Sequence, residues 1–145
     1  MNDIYDLRRF IEAQAQSYQS IVSELKDGQK CGHWMWYTFP QIQGLGASPM
    51  ARHYAISSPE EAQAYLEHPI LGSRLTECTK LVMDVEGRTA EQIFYYPDHL
   101  KFRSCLTLFD QCTNDDHIFR DALLKYFGGE FDQLTLDILG DIFPK

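Results

Sequence analysis

The stretch LKFRSCLTLFDQC, residues 100–112, sets the pattern from which the fold can be inferred. Its apolar side chains recur at steps of three and four residues, at Phe102, Cys105, Leu106, Phe109 and Cys112. This spacing places them on one face of an α-helix. The sequence therefore predicts an amphipathic helix with a wide apolar face turned toward a core.

Segments on both sides of this stretch repeat the helical pattern and carry the residues that begin or end helices. Residues 7–25 predict a long helix that ends at Gly28. Ser48-Pro49, Ser58-Pro59 and Thr89 each combine a capping side chain with the start of a helical segment. Further helices are predicted after His68-Pro69, around residues 118–127 and after Asp132.

Strand signals are weak, because no segment alternates apolar and polar residues over a useful length. HWMWYTF, residues 33–39, is the one piece that can be extended. We find no repeat, linker or low-complexity tract. The sequence thus predicts an all-α fold, a bundle of about seven helices in one domain spanning residues 1–145, with an aromatic- and glycine-rich loop near residues 31–48.

Composition excludes several classes of function. The formal net charge of −8 argues against a nucleic-acid partner, because phosphate binding needs clustered Lys and Arg. No run of 18 apolar residues predicts a membrane span, and the first ten residues lack the features of a secretion signal. The four cysteines contain no C-x-x-C pair, so neither a metal nor a disulfide framework is expected. We expect a cytoplasmic protein without a cofactor; the sequence does not indicate an oligomeric state.

The loop segment CGHWMWYTFPQIQGLGAS, residues 31–48, is unusual for its density of large rings beside glycines. It also lies in an acid-free window, since no Asp or Glu occurs between Lys30 and Pro59. One interpretation is that Trp34, Trp36 and Phe39 fill a hydrophobic core. The other is that rings and exposed backbone N–H groups hold a flat, anionic ligand.

Under the second interpretation, each candidate residue has a role. His33 would be the acid, base or hydrogen-bond donor, and Trp34 or Trp36 the stacking surface. Arg52 and Lys101 would bind the anion, Lys101 with Asp98 as its partner. The full set of candidate ligand-binding residues is Trp34, Trp36, Gln41, Gly44, Gly46, Ser48, Arg52, Asp98, Lys101 and Ser104.

Two functions compete at this stage. The first is a site that binds, or binds and hydrolyses, a small anionic metabolite resembling a nucleotide or ADP-ribose. The alternative is a non-enzymatic module that binds a protein partner or a second copy through exposed aromatics of residues 34–39. No established catalytic or nucleotide-binding motif occurs, so the sequence leaves enzymatic activity open.

Five stretches together resemble the bacterial family known as domain of unknown function eighteen-ten. They are HWMWYTFPQIQGLGAS, ARHYAIS, AQAYLEHPILGSRL, IFYYPDHLKFRSCLTLF and YFGGEFDQLTL. The resemblance covers nearly the whole chain and implies a mostly helical single domain, without implying an activity. A looser likeness to the superfamily associated with NAD and ADP-ribose is an analogy of fold.

The chain departs from this family at two positions. Tyr95 stands where the family usually has glycine, and Ser104-Cys105 stands where it commonly has two serines. If these positions contact a ligand in relatives, the pocket here is narrower and less polar.

Overall fold

The helix predicted around residues 100–112 is the centre of the structure, a computed structural model that describes residues 3–113 and 117–142, without the side chains of 141 and 142. This helix, α7, spans Asp98–Gln111. Phe102, Cys105 and Phe109 are completely buried. Because α7 packs against helices on several sides, its apolar face supplies the middle of the core.

The described residues form nine helices and no strand, which confirms the all-α class. They are α1 (Arg8–Lys26), α2 (Met35–Thr38), α3 (Pro49–His53), α4 (Pro59–Glu67), α5 (Leu71–Met83), α6 (Ala90–Phe94), α7 (Asp98–Gln111), α8 (Ile118–Phe127) and α9 (Gln133–Ile142). The count differs slightly from the expected seven, and the single-turn helix α2 is the one element that the sequence did not predict. Residues 1, 2, 114–116 and 143–145 of the predicted domain lie outside the described part.

The segment 33–39 is not the short extended piece that its composition allowed. It contains the single-turn helix α2, whose Met35 and Thr38 face the core one turn apart. Phe39 follows with its ring completely buried against Phe94 and Phe102, at centroid distances of 5.7 and 5.0 Å. The turn places Met35 and Thr38 on the same side, whereas an extended chain would alternate its side chains between two faces.

Capping side chains begin the helices where the sequence predicted them. The hydroxyl of Ser48 accepts a hydrogen bond from the backbone N–H of Ala51, and Thr89 and Gln92 form a reciprocal capping box. Ser58 also caps α4, but the carboxylate of Glu61 accepts from Ser57 rather than from the Ser58 backbone. That carboxylate is almost wholly buried and also pairs with Arg9 at 2.9 Å, so it joins α4 to α1.

The glycine- and proline-rich segment after α2 is a loop whose two ends are joined by backbone hydrogen bonds. The N–H of Gln43 donates to the carbonyl of Ile56, and the N–H of Ile56 donates to the carbonyl of Gln41, both at 2.8 Å. Ile42 and Ile56 are buried beside each other in this parallel bridge. The loop and α3 therefore project from the core at a fixed place.

None of the described helices combines the length and apolar character that crossing a bilayer requires.

Candidate functional site

A cavity of about 480 Å³ lies between the loop after α2 and the first half of α7, with the beginning of α9 at one end. Its volume falls within the range of small-molecule sites. The lining combines apolar and polar side chains with glycine and alanine backbone: Trp36, Gln41, Leu45, Gly46, Ala47, Ser48, Ala51, Pro97, Leu100, Lys101, Arg103, Ser104, Asp132 and Leu134.

Lys101 joins the two segments that the sequence singled out. Its ammonium lies 5.1 Å from the centre of the Trp36 ring and 3.1 Å from Oδ1 of Asp98. The ring of Trp36 is half-buried, so one part packs on the protein while another lines the cavity. A cation beside an indole ring at the wall of a cavity is suited to an anionic group attached to a flat or apolar one.

Asp98 is shared between two lysines. Its other oxygen, Oδ2, lies 2.9 Å from the ammonium of Lys30, which is only 8% exposed and sits 5.2 Å from the Trp34 ring. Lys30 also donates to the carbonyl of Gly32. One carboxylate thus faces two ammonium groups, and Glu24 is a second carboxylate close enough to Lys30 for their charges to interact.

Arg103, Ser104 and Asp132 form the other end of the cavity. The hydroxyl of Ser104 lies 3.0 Å from Oδ2 of Asp132, and the guanidinium of Arg103 lies 3.9 Å from Oδ1. Glu130 is also near Arg103, at 4.0 Å, but its side chain is 81% exposed. The charges on the described lining are therefore two cations and one carboxylate.

The structure brings together only some of the candidate residues. Six of them line the cavity: Trp36, Gln41, Gly46, Ser48, Lys101 and Ser104. Asp98 lies behind the wall as the partner of Lys101. Gly44 and Arg52 line an adjoining depression of about 370 Å³ that shares Gln41 and Gly46 with the cavity.

His33 and Trp34 are placed elsewhere. His33 is exposed and is not one of the residues that line the cavity, so the geometry gives it no role in chemistry there. Trp34 is 2% exposed, and its indole N–H donates to Glu24 at 2.9 Å. The core interpretation therefore holds for Trp34 and Phe39, whereas Trp36 is the ring available to a ligand.

Glu24 organises the start of the aromatic segment and could not be singled out in the sequence. The same oxygen accepts from the backbone N–H groups of Cys31 and Gly32, at 2.6 and 2.9 Å, as well as from Trp34. Burial opposes the charge of Glu24, but these three donors outweigh it and the pKa of the carboxyl is lowered. Glu24 thereby fixes the orientation of Trp34.

The N-terminus of α3, which Ser48 caps, is not suited to binding an anion. The helix has only five residues, so its dipole is small, and the Ser48 hydroxyl already accepts from Ala51. Arg52 is exposed on this helix and points into the depression rather than the cavity.

The two departures from the family pattern do not narrow the cavity. Cys105 is completely buried in the core, and Tyr95 is absent from the lining. Tyr95 has φ +66° and ψ 160°, a backbone conformation that glycine adopts most easily. A preference for glycine at this position is therefore explained by the backbone conformation and not by contact with a ligand.

Metal binding has no support in the described part of the chain, which contains no cluster of His, Cys, Asp and Glu suited to a metal ion. The four cysteines are unpaired. Burial raises the pKa of the Cys78 thiol to about 12 and that of Cys112 to about 11, and it raises the pKa of Cys105 as well. These three thiols are protonated at neutral pH and unsuited to nucleophilic chemistry.

Fold and cavity together define an all-α domain with a mixed apolar and charged pocket of small-molecule size. The chain belongs to the family described as Protein of unknown function (DUF1810), whose model matches residues 4–139. It is similar to the conserved hypothetical protein Rv1873 from Mycobacterium tuberculosis, solved by crystallography at 1.38 Å. The two are 54% identical, the match covers 95% of this chain and 99% of the other, and the TM-score is 0.94. No curated protein matches the chain.

Proposed function

We propose that the protein binds a small anionic metabolite, of the size of a nucleotide or a sugar phosphate, in the cavity between the loop 41–48 and α7. The observation that carries the proposal is the position of Lys101, whose ammonium lies at the cavity wall beside the Trp36 ring. Asp98 divides its two oxygens between Lys30 and Lys101, so one oxygen faces each ammonium group.

The apolar lining supports a ligand with a flat or aliphatic part. Leu45, Pro97, Leu100 and Leu134 lie around Trp36, and Leu134 is 64% exposed. Burial of these side chains under a ligand would add to the attraction between charges. Gln41 and Ser48 supply polar groups that can orient the bound molecule.

Local charge favours an anion although the whole chain is acidic. Arg103 adds a second cation to the lining, against the single carboxylate of Asp132. In a protein of formal net charge −8, Lys101 and Arg103 are the groups of the lining through which the site would select a small anion. Two cations are too few to hold a nucleic-acid strand, which fits a small-molecule ligand.

We propose binding and not hydrolysis, because His33, the expected acid or base, does not line the cavity. Self-association through the aromatics of residues 34–39 is not proposed, because Trp34 and Phe39 are buried. A cytoplasmic location is part of the proposal and is supported by the four unpaired cysteines, which suit a reducing compartment.

The test is calorimetric titration of the protein with AMP, ribose 5-phosphate, ADP-ribose and inorganic phosphate, comparing the wild type with Lys101→Met. A charged hydrogen bond contributes about 1.5–3 kcal/mol, so the variant should bind roughly ten- to a hundredfold more weakly. Lys80→Met is the matched control, since Lys80 is exposed on α5 away from the cavity, and its affinity should equal that of the wild type.

Two results would contradict the proposal. One is that none of these anions binds at millimolar concentration. The other is that Lys101→Met binds as tightly as Lys80→Met, which would place the bound anion elsewhere. Quenching of Trp fluorescence on binding that disappears in Trp36→Phe would locate the ligand beside Trp36, because Trp34 is buried.

A further inference from the structure

The end of the cavity formed by Arg103 and Asp132 contains a guanidinium and a carboxylate with unused hydrogen-bonding capacity. Both residues line the cavity, and neither is among the candidate ligand-binding residues that the sequence suggested. Their arrangement bears on which part of a ligand lies there.

The two carboxylate oxygens of Asp132 differ in their hydrogen bonds. Oδ2 accepts from the hydroxyl of Ser104 at 3.0 Å, from the backbone N–H of Thr135 at 3.2 Å and from the Thr135 hydroxyl. Oδ1 accepts no hydrogen bond from the described residues. The nearest cation, Nη2 of Arg103, lies 3.9 Å away, which is beyond hydrogen-bonding distance.

The guanidinium of Arg103 likewise donates no hydrogen bond to the described residues. Its Nε atom is buried and has no hydrogen-bond partner within the described part of the chain. Its Nη1 lies 4.0 Å from the exposed carboxylate of Glu130, which is also too far for a hydrogen bond. Nη2 of Arg103 and Oδ1 of Asp132 are thus a donor and an acceptor that lie beside the cavity without a hydrogen-bond partner among the described residues, so a ligand can bridge them.

The charges limit what can fill this place. A second anion would be repelled by Asp132, and an ammonium group would be repelled by Arg103. A neutral hydroxyl group can accept from the guanidinium and donate to the carboxylate at the same time. Oδ1 of Asp132 and Nη2 of Arg103 are separated by 3.9 Å, so one oxygen can lie beside both.

We propose that Arg103 and Asp132 bind a hydroxyl group of the ligand, so that the cavity selects hydroxyl-bearing anions such as sugar phosphates and nucleoside monophosphates over anions without hydroxyls. The inference rests on the proposed function, with the anion at Lys101 and the hydroxyl at the other end. It makes Asp132 and Arg103 the residues that determine specificity.

The experiment is calorimetric titration with AMP and 2′,3′-dideoxy-AMP, which share the phosphate and base and differ in the two ribose hydroxyls. Wild-type protein should bind AMP about tenfold more tightly than the dideoxy compound. In Asp132→Asn an amide N–H replaces the free oxygen, so the preference should disappear while the dideoxy compound still binds. Asp137→Asn, on the exposed face of α9, is the control and should keep the preference.

Arg103→Gln provides a second variant, needed if Asp132→Asn unfolds because Asp132 also caps α9. It should likewise lose the preference, and circular dichroism confirms that each variant is folded. Equal affinity of wild type for both nucleotides overturns the inference alone and leaves anion binding intact. A preference that persists in both variants also overturns it. Failure of both nucleotides to bind overturns the proposed function and this inference together.

Discussion

Tyr95 occupies a backbone conformation that its side chain opposes. With φ +66° and ψ 160°, it lies in a region that is populated almost only by glycine, and a residue with a Cβ there is strained by about 1–3 kcal/mol. Its ring is 46% exposed and its hydroxyl accepts a hydrogen bond from Gln29, so the side chain contributes little to the core. The family resemblance predicts glycine at this position, and the positive φ of Tyr95 gives the physical reason.

Tyr95→Gly should therefore stabilise the protein. Glycine relieves the strain but loses about 0.5–1 kcal/mol through the greater freedom of the unfolded chain. The free energy of unfolding, measured in urea, should rise by about 1 kcal/mol. Tyr95→Ala removes the same ring and keeps the Cβ, so its free energy of unfolding should not rise. An equal rise in both variants would show that loss of the ring, and not relief of backbone strain, is responsible.

Residues close in sequence were predictable as site components, and residues far apart were not. Asp98 and Lys101 are three positions apart at the start of a helix, so their pairing follows from helical geometry. Ser104 and Asp132 meet across 28 positions, and only the packing of α9 against α7 brings them together. Asp132 was recognisable as a capping residue, which gave no signal of its place in the cavity.

At the level of helices, start signals were reliable because they are local. The hydroxyls of Ser48 and Thr89 bind N–H groups three residues later, and their neighbours in the sequence suffice to predict this. The single-turn helix α2 was not predictable, because its conformation depends on burying Phe39 among rings from α6 and α7. Tertiary packing there overrides a weak local preference.

The junction of α4 and α5 depends on a glycine. A Cβ on Gly72 would lie 2.1 Å from the carbonyl oxygen of Leu66, closer than any real contact. We expect Gly72→Ala to lower the free energy of unfolding by about 1–3 kcal/mol, because backbone has to move to accommodate the methyl group. Thermal and urea denaturation would measure the loss.

Gly140 supplies the matched control within the same chain. It lies in α9, and a Cβ added there would have no neighbour within 4 Å. Gly140→Ala should therefore stabilise the protein by roughly 0.5–1 kcal/mol, the usual gain from replacing glycine inside a helix. Destabilisation of similar size in both variants would show that close approach to Leu66 is not the cause.

Across the whole molecule, one hydrophobic core joins the helices, and the cysteines report on its integrity. Cys78 and Cys105 lie within the core, as expected of small apolar residues, and Cys31 is exposed. The protein should accordingly show one fast-reacting thiol with a thiol-specific chromogenic reagent at neutral pH, and four after denaturation. Cys31→Ser should remove the fast phase, and the half-buried Cys112 should react more slowly than Cys31. Fast reaction of Cys78 or Cys105 in the folded protein would contradict their burial.

The overall fold could be predicted further than the site. Helical periodicity and caps repeat along the chain, so the all-α class follows from many independent signals. The site depends on which helix faces meet, and two of its expected members, His33 and Arg52, do not line the cavity. An acid-free window in the sequence indicates a positive region but does not specify the side chains that converge in it.

The paired hydrogen bonds between Gln41, Gln43 and Ile56 have a consequence for how relatives can diversify. They clamp both ends of the segment that carries Leu45 and Ser48, while the hydrophobic core lies on the far side of the clamp. Exchanging residues 46–52 for a different peptide of equal length would reshape one wall of the pocket and keep the core contacts of Leu45 and Tyr54. The two hydrogen bonds therefore make this segment the part of the pocket wall that can be changed with least effect on the fold.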